Sequence, residues 1–225
     1  MKKRILLFGG SFDPIHNAHL ELTLQAYNEL KVDKCYFILA KNPRWKKPLS
    51  TSKQRLEMLE LALKDYKQFE ISLIEYNSNR EVTYTYDTIM EMGNFNENEY
   101  YYLIGTDQLE LLNKWYKIDE LSSIVHFVVF KRYSYPVNEN NLKKYHCTLL
   151  NNKELDISST KIRNLNALSS PRNVLEYIAK NNLYYFVEID KYIQNKRLEH
   201  SKSVALLCYD IAKNNNIDSN VAYLA

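Results

Sequence analysis

The stretch Gly9-Gly10-Ser11-Phe12-Asp13-Pro14-Ile15-His16-Asn17-Ala18-His19 gathers the residue types that handle phosphate. An apolar run, Ile5 to Phe8, leads into two glycines, and helical spacing of apolar residues begins at Ala18. A glycine turn opening onto a helix start offers free backbone N–H groups and the positive end of a helix dipole, which together seat an anion. His16 and His19 are three apart, so on a first helical turn they would share a face and could hydrogen-bond one polyphosphate. Paired imidazoles could instead hold a metal, but no nearby Cys, His or Glu completes a ligand set. The pattern GxGxxG is absent, which argues against a dinucleotide-dependent oxidoreductase.

Other residues could serve the same chemistry. The chain has only four glycines, so each is expected to answer a need for positive φ or close approach. Gly93 reads as a helix C-cap, whereas Gly9, Gly10 and Gly105 follow predicted strands, where ligands sit in open α/β sheets. Lys41, Arg44, Lys46 and Lys47 form a basic loop that alone would be a solvated charge run and beside a polyphosphate would be a clamp. Ser158-Ser159-Thr160 can cap a short helix, and Arg163 supplies a guanidinium fork for phosphate. His126 and His146 lie in strand-like runs and read as structural.

The elements that must position these residues alternate. Ile5 to Phe8, Cys35 to Leu39, Ile71 to Ile74, Tyr100 to Ile104 and Val125 to Phe130 read as buried strands, with a sixth near Cys147 to Leu150. Between them Ala18 to Leu30, Lys53 to Leu63 and Tyr86 to Met92 have helical spacing, and Thr51 with Gln54 is a capping-box candidate. Asn138 to Lys144 reads as a polar loop, and Val174 to Lys180 as a helix. This order predicts an α/β fold, a Rossmann-like parallel sheet with right-handed crossovers. From about Glu188 no strand candidate follows and Ser203 to Lys213 reads as an amphipathic helix, so an all-helical extension is expected over 188–225, after a main domain of 1–187.

Composition excludes several classes. The net charge of +3 is too small to argue for nucleic acid, and no apolar run is long enough for a bilayer. Three cysteines without paired or metal-like spacing point to a reducing cytoplasm rather than a disulfide framework. The 19 tyrosines accompany many Lys and Asn, so individual tyrosines carry little weight here.

The first stretch resembles the GG(T/S)FDPxHxGH signature of nicotinate-nucleotide adenylyltransferases, within the nucleotidyltransferase superfamily. Ala18 is the one departure, where the family has glycine, and its methyl group could crowd a bound nucleotide. Further resemblances follow in order along residues 3–185. Lys46-Lys47-Pro48 lies where the family has a triphosphate-contacting segment, although that segment's histidine has no clear match. Thr83-Tyr84-Thr85-Tyr86-Asp87-Thr88 is similar to the SYTxxT segment that holds the pyridine nucleotide. Gly105-Thr106-Asp107 matches the turn lining the nucleotide site, Lys114-Trp115-Tyr116 the segment whose tryptophan stacks on the nicotinate ring, and Ile157 to Arg163 the ISSTxIR signature that grips ATP.

The resemblance implies transfer of an adenylyl group from ATP, with Mg²⁺, to nicotinate mononucleotide in NAD biosynthesis. It implies phosphate roles for His16 and His19, and ATP contacts from Gly9, Gly10, Ser11, Phe12, Lys46, Lys47, Gly105, Asp107, Ser158, Ser159, Thr160 and Arg163. Thr83, Tyr84, Thr85 and Trp115 would hold the acceptor, with Asp13 and Asp107 as weaker candidates for positioning or metal. The chain could form a homo-oligomer. Two alternatives stay open: a phosphopantetheine adenylyltransferase, which usually has threonine at the position of His16, and an ATP-binding regulatory domain with impaired turnover. The tail, from Arg197-Leu198-Glu199-His200-Ser201 onward, resembles the opening of an HD-type metal-dependent phosphohydrolase, in which His200 would be a first metal ligand. No later His-Asp pair follows, so a piece of a longer two-domain protein is expected.

Overall fold

The structure, a computed structural model, describes residues 2–43, 47–164, 169–189, 193, 195–217 and 222. Six strands form one parallel sheet: β1 (Lys3–Gly10), β2 (Lys34–Leu39), β3 (Phe69–Ser72), β4 (Asn98–Gly105), β5 (Val125–Phe130) and β6 (Thr148–Leu149). Their spatial order is β3-β2-β1-β4-β5-β6, the doubly wound arrangement whose order reverses between β1 and β4. Leu7 lies opposite Tyr102 and Gly10 opposite Leu39, so the chain leaves β1 at this switch point. The strands are runs of Leu, Ile, Val and aromatic residues because helices cover both faces of such a sheet; Leu6, Leu7, Phe37, Ile38, Phe127 and Val128 are all fully buried.

The helices are α1 (Asn17–Leu30), α2 (Ser52–Leu63), α3 (Thr85–Met92), α4 (Thr106–Glu110), α5 (Ile118–Ile124), α6 (Glu139–Lys144), α7 (Ser159–Arg163), α8 (Arg172–Lys180), α9 (Tyr185–Ile189) and α10 (Asn195–Asn214). The capping box at α2 is formed: Gln54 N–H donates to Thr51 Oγ1 at 3.2 Å, and Thr51 N–H to Gln54 Oε1 at 2.9 Å. Gly93 ends α3 at φ 59°, its N–H donating to the carbonyl of Ile89. One expectation is corrected. Residues 139–144 are helical, because the Asn138 side chain accepts the N–H of Asn141 and so starts a turn that composition alone assigns to a loop.

The chain packs as two compact units that do not follow chain order. The first comprises Met1–Ser11, His19–Pro48 and Leu63–Asp156 and contains the whole sheet. The second comprises Phe12–Ala18, Leu49–Ala62 and Ile157–Ala225. Within it α10 packs on α8: Arg172 donates from Nε and Nη2 to the two carboxylate oxygens of Asp210 at 2.7 and 3.0 Å, and Leu198, Tyr209 and Ala212 are buried. Lys202, itself buried, donates to Asn182 Oδ1 and to Glu199 Oε1. The opposite side of α10 leaves Val204, Leu207 and Ile211 exposed.

Candidate active site

The motif between Gly9 and His19 is divided between the units, Gly9 to Ser11 and His19 falling in the first and Phe12 to Ala18 in the second. Helix α1 starts at Asn17, so His16 precedes the first helical residue. The expectation that both histidines share a face of one helical turn is corrected accordingly: the Asp13-Pro14 and Ile15 loop, not the helix, sets the place of His16.

In the first unit, Gly9 is glycine because the Tyr102 hydroxyl from β4 occupies the space where a Cβ would stand. The need is close approach rather than positive φ. Gly10 closes β1 by accepting the N–H of Ala40 at 3.0 Å. The His19 ring packs against that of Phe8, with centroids 5.6 Å apart, and is half-buried. At the end of β4, a Cβ on Gly105 would lie 2.5 Å from Asp107 Oδ1 and 2.7 Å from Arg132 Cδ, so this glycine too makes room for its neighbours. Asp107 is paired with Arg132, Nη1 to Oδ2 at 2.6 Å, which orients its carboxylate over the turn.

The segment Thr83 to Thr88 is held from below. Glu75, almost fully buried, accepts the Thr83 hydroxyl on Oε2 at 3.1 Å and the Thr88 hydroxyl on Oε1 at 2.8 Å. Burial pushes the Glu75 carboxyl above its ordinary value of 4.5, and the two hydroxyl donors oppose that rise. The Thr85 hydroxyl bonds to that of Tyr102, whose own titration is pushed up by burial. Tyr84, at the N-cap of α3, makes no side-chain cap bond, and its ring packs tilted by 37° against that of Tyr116, centroids 4.7 Å apart. Trp115 is half-buried, with Tyr102 and Phe127 edge-on to it at 6.1 and 5.9 Å, so the core fixes the plane of the indole. Lys47 is exposed, and Arg44 and Lys46 lie outside the described residues.

In the second unit, Asp13 is a structural node. Its carboxylate accepts the N–H of Leu49 at 2.8 Å, the N–H and hydroxyl of Ser50, and the Tyr184 hydroxyl at 2.9 Å. Arg163 donates to the Asp13 backbone carbonyl at 2.6 Å and to the Thr160 hydroxyl at 3.1 Å. A carboxylate with this many donors, 3% exposed, is spoken for; Asp13 shapes the loop rather than offering itself to a metal. Phe12 holds a left-handed backbone, φ 45°, with its ring buried, so its backbone and not its side chain is what a nucleotide could meet. His16 is buried and Ser11 half-buried. Ser158 caps α7, accepting the N–H of Lys161 at 3.2 Å, while Ser159 donates to the carbonyl of Pro14 at 2.9 Å. The ISSTxIR stretch therefore binds the motif loop with Ser159 and Arg163 and leaves Thr160 exposed at the helix start. Ala18 is buried, its methyl group covered by protein. His200 is exposed on α10, and among the described residues no three His, Cys, Asp or Glu are grouped to hold a metal.

Sequence reading missed Glu75, Ser50, Tyr184, Arg132 and Tyr102. Glu75 carried a signal, a lone acid followed eight residues later by the first of three threonines. Tyr102 and Tyr184 were indistinguishable among 19 tyrosines.

A parallel sheet of this order, with glycines closing β1 and β4, is the α/β fold of the nucleotidyltransferase class. The chain belongs to the cytidylyltransferase-like family, whose model matches residues 7–165. Similar proteins include several named as probable nicotinate-nucleotide adenylyltransferases. It is 36% identical over 197 residues to the probable nicotinate-nucleotide adenylyltransferase of Staphylococcus haemolyticus, covering 81% of this chain and 97% of the relative. It is 31% identical over 223 residues to the probable nicotinate-nucleotide adenylyltransferase/Ap4A hydrolase of Mycoplasma pneumoniae, and spans 98% of itself but 64% of that protein's length. Among solved structures it superposes on the Plasmodium falciparum nicotinic acid mononucleotide adenylyltransferase complexed with NaAD, at TM-score 0.68 and 25% identity, over 82% of this chain and 98% of that one. Among the described residues, no helix is long and apolar enough to cross a membrane.

Proposed function

We propose that this chain transfers the adenylyl group of ATP to nicotinate mononucleotide. A phosphate oxygen of the acceptor attacks the α-phosphorus of ATP, a new P–O–P bond forms, the bond to the β-phosphate breaks, and pyrophosphate leaves. A phosphomonoester with a second pKa near ~6 is already largely a dianion at neutral pH, so the reaction needs no general base. The barrier is that of bringing anions together in line and stabilising the spreading charge. His16 and His19 are assigned to the phosphates, with Lys46, Lys47, Ser11, Thr160 and Arg163 as further donors. Backbone at Gly9, Gly10, Phe12 and Gly105 admits the nucleotide closely, and Asp107 is assigned to its sugar side. Trp115 and Tyr84 are assigned to the pyridine ring, with backbone N–H groups of Thr83 to Thr85 meeting the nicotinate carboxylate. Among the described residues no group of His, Cys, Asp or Glu makes a metal cage, and Mg²⁺ is assigned to the reaction as part of the MgATP substrate, bound largely through phosphates and water. The three cysteines fit a cytoplasmic setting.

The observation that carries this reading is the run of motifs in family order over residues 9–163, supported by relatives such as the S. haemolyticus protein that match nearly end to end. Incubation with ATP labelled at the α-phosphate tests it: label should appear in a dinucleotide with the mass of nicotinate adenine dinucleotide, together with unlabelled pyrophosphate. Label released as free phosphate or retained wholly in ATP would contradict it. For residues 188–225 we propose the first helices of an HD-type domain with His200 as an early metal ligand, in keeping with the second activity in the name of the M. pneumoniae relative.

A further inference from the structure

The hydroxyls of Thr83, Thr85 and Thr88 all turn inward. Glu75 takes two of them on opposite oxygens of one carboxylate, and Tyr102 takes the third. Glu75 follows β3 and sits on none of the sequence motifs, yet it is a charged side chain, 9% exposed, whose hydrogen bonds run to both ends of one six-residue segment. A buried carboxylate left without donors is costly, so these two bonds are strongly retained once formed. Thr88 Oγ1 also lies 3.2 Å from the carbonyl of Tyr84, which closes the first turn of α3 over the same carboxylate. With these hydroxyls committed below, the segment would meet a ligand through backbone N–H groups near Thr83 to Thr85.

We infer that Glu75 is a positioning residue for acceptor recognition: by tying Thr83 to Thr88 it sets the spacing of the backbone donors that meet the acceptor's carboxylate. This rests on the proposed transfer to nicotinate mononucleotide. It assigns Glu75 no contact with substrate, and it separates the acceptor's affinity from that of ATP, whose assigned residues lie on other segments.

The test compares wild type with Glu75→Ala, Glu75→Gln and Thr88→Val, measuring KM for each substrate, melting temperature, and amide exchange over residues 83–88. Glu75→Ala should raise KM for nicotinate mononucleotide at least tenfold, change KM for ATP less than twofold, and speed exchange in the segment. Glu75→Gln, which keeps one acceptor oxygen, should recover most of the loss. Thr88→Val, which deletes one hydroxyl without changing the segment's bulk, should move the acceptor KM in the same direction by about threefold, and serves if Glu75→Ala does not fold. Equal rises in both KM values, or unchanged acceptor KM with unchanged exchange, would overturn the inference. A wild type that does not use nicotinate mononucleotide at all would instead remove the reading beneath it, and the same assay registers that before any variant is compared.

Discussion

Under the proposed transfer, His16 and His19 would place N–H donors and, when protonated, positive charge where the transferred phosphate develops charge, so their effect would belong to the chemical step. Replacing either by alanine should lower kcat by at least about a hundredfold, roughly 2.7 kcal/mol, with the circular dichroism spectrum unchanged. Near-normal turnover in both variants would remove the assignment. Ala18 asks a different question. A methyl group in the family's glycine position suggested crowding of the nucleotide, but it is covered by protein. Ala18→Gly should therefore cost roughly 1–2 kcal/mol of stability, from the lost buried methyl and the added backbone freedom, and leave kcat/KM within about threefold. A rise above tenfold would show that the methyl does obstruct the site. Motif residues such as Gly9, His16 and Ser158 were legible because their types are rare or their order is telling. The partners that fix them, Ser50 and Tyr184 on Asp13 and Tyr102 under Gly9, were not, because common residue types become informative only when the fold brings distant parts of the chain together.

At the scale of elements, the strands were readable from continuous apolar runs, since a sheet covered on both faces tolerates nothing else. The short helices α4, α5 and α9 were not, because five to seven residues show little of a 3.6-residue period. α10 extends eight residues before the start that spacing suggested. Its docking on α8 depends partly on Arg172 and Asp210. The paired guanidinium, by its hydrogen bonds, holds the Asp210 carboxyl below its ordinary value of 3.8. A lowered pKa means that the pair's contribution is full above 3.8 and fades as pH falls through the lower folded value. Asp210→Asn should accordingly speed amide exchange along α10 by a similar factor from pH 5 to 9. The pair is half-exposed, so less than about 1 kcal/mol of global stability should be lost. Unchanged exchange in the variant would mean that the buried side chains alone hold the helix.

At the scale of the molecule, the sequence suggested a boundary near residue 188, where strands give out. The compact units instead interleave three stretches of chain each, a grouping that no linear reading can supply. Because the bonds to Asp13 come from residues 49, 50 and 184, removing residues 188–225 should leave them in place and change KM for ATP less than about threefold. Losing the burial of Leu198, Tyr209 and Ala212 should cost about 3 kcal/mol, or roughly 6–12 °C in Tm. The most direct test of the whole account offers the full chain four acceptors in parallel with ATP: nicotinate mononucleotide, nicotinamide mononucleotide, phosphopantetheine and water alone, with pyrophosphate release as the readout. Nicotinate mononucleotide should give the highest kcat/KM, severalfold or more above the nicotinamide form, because a site built to pair its carboxylate leaves donors unpaired when the carboxylate is absent. Equal values for the two mononucleotides, a preference for phosphopantetheine, or no release above the water control would contradict it.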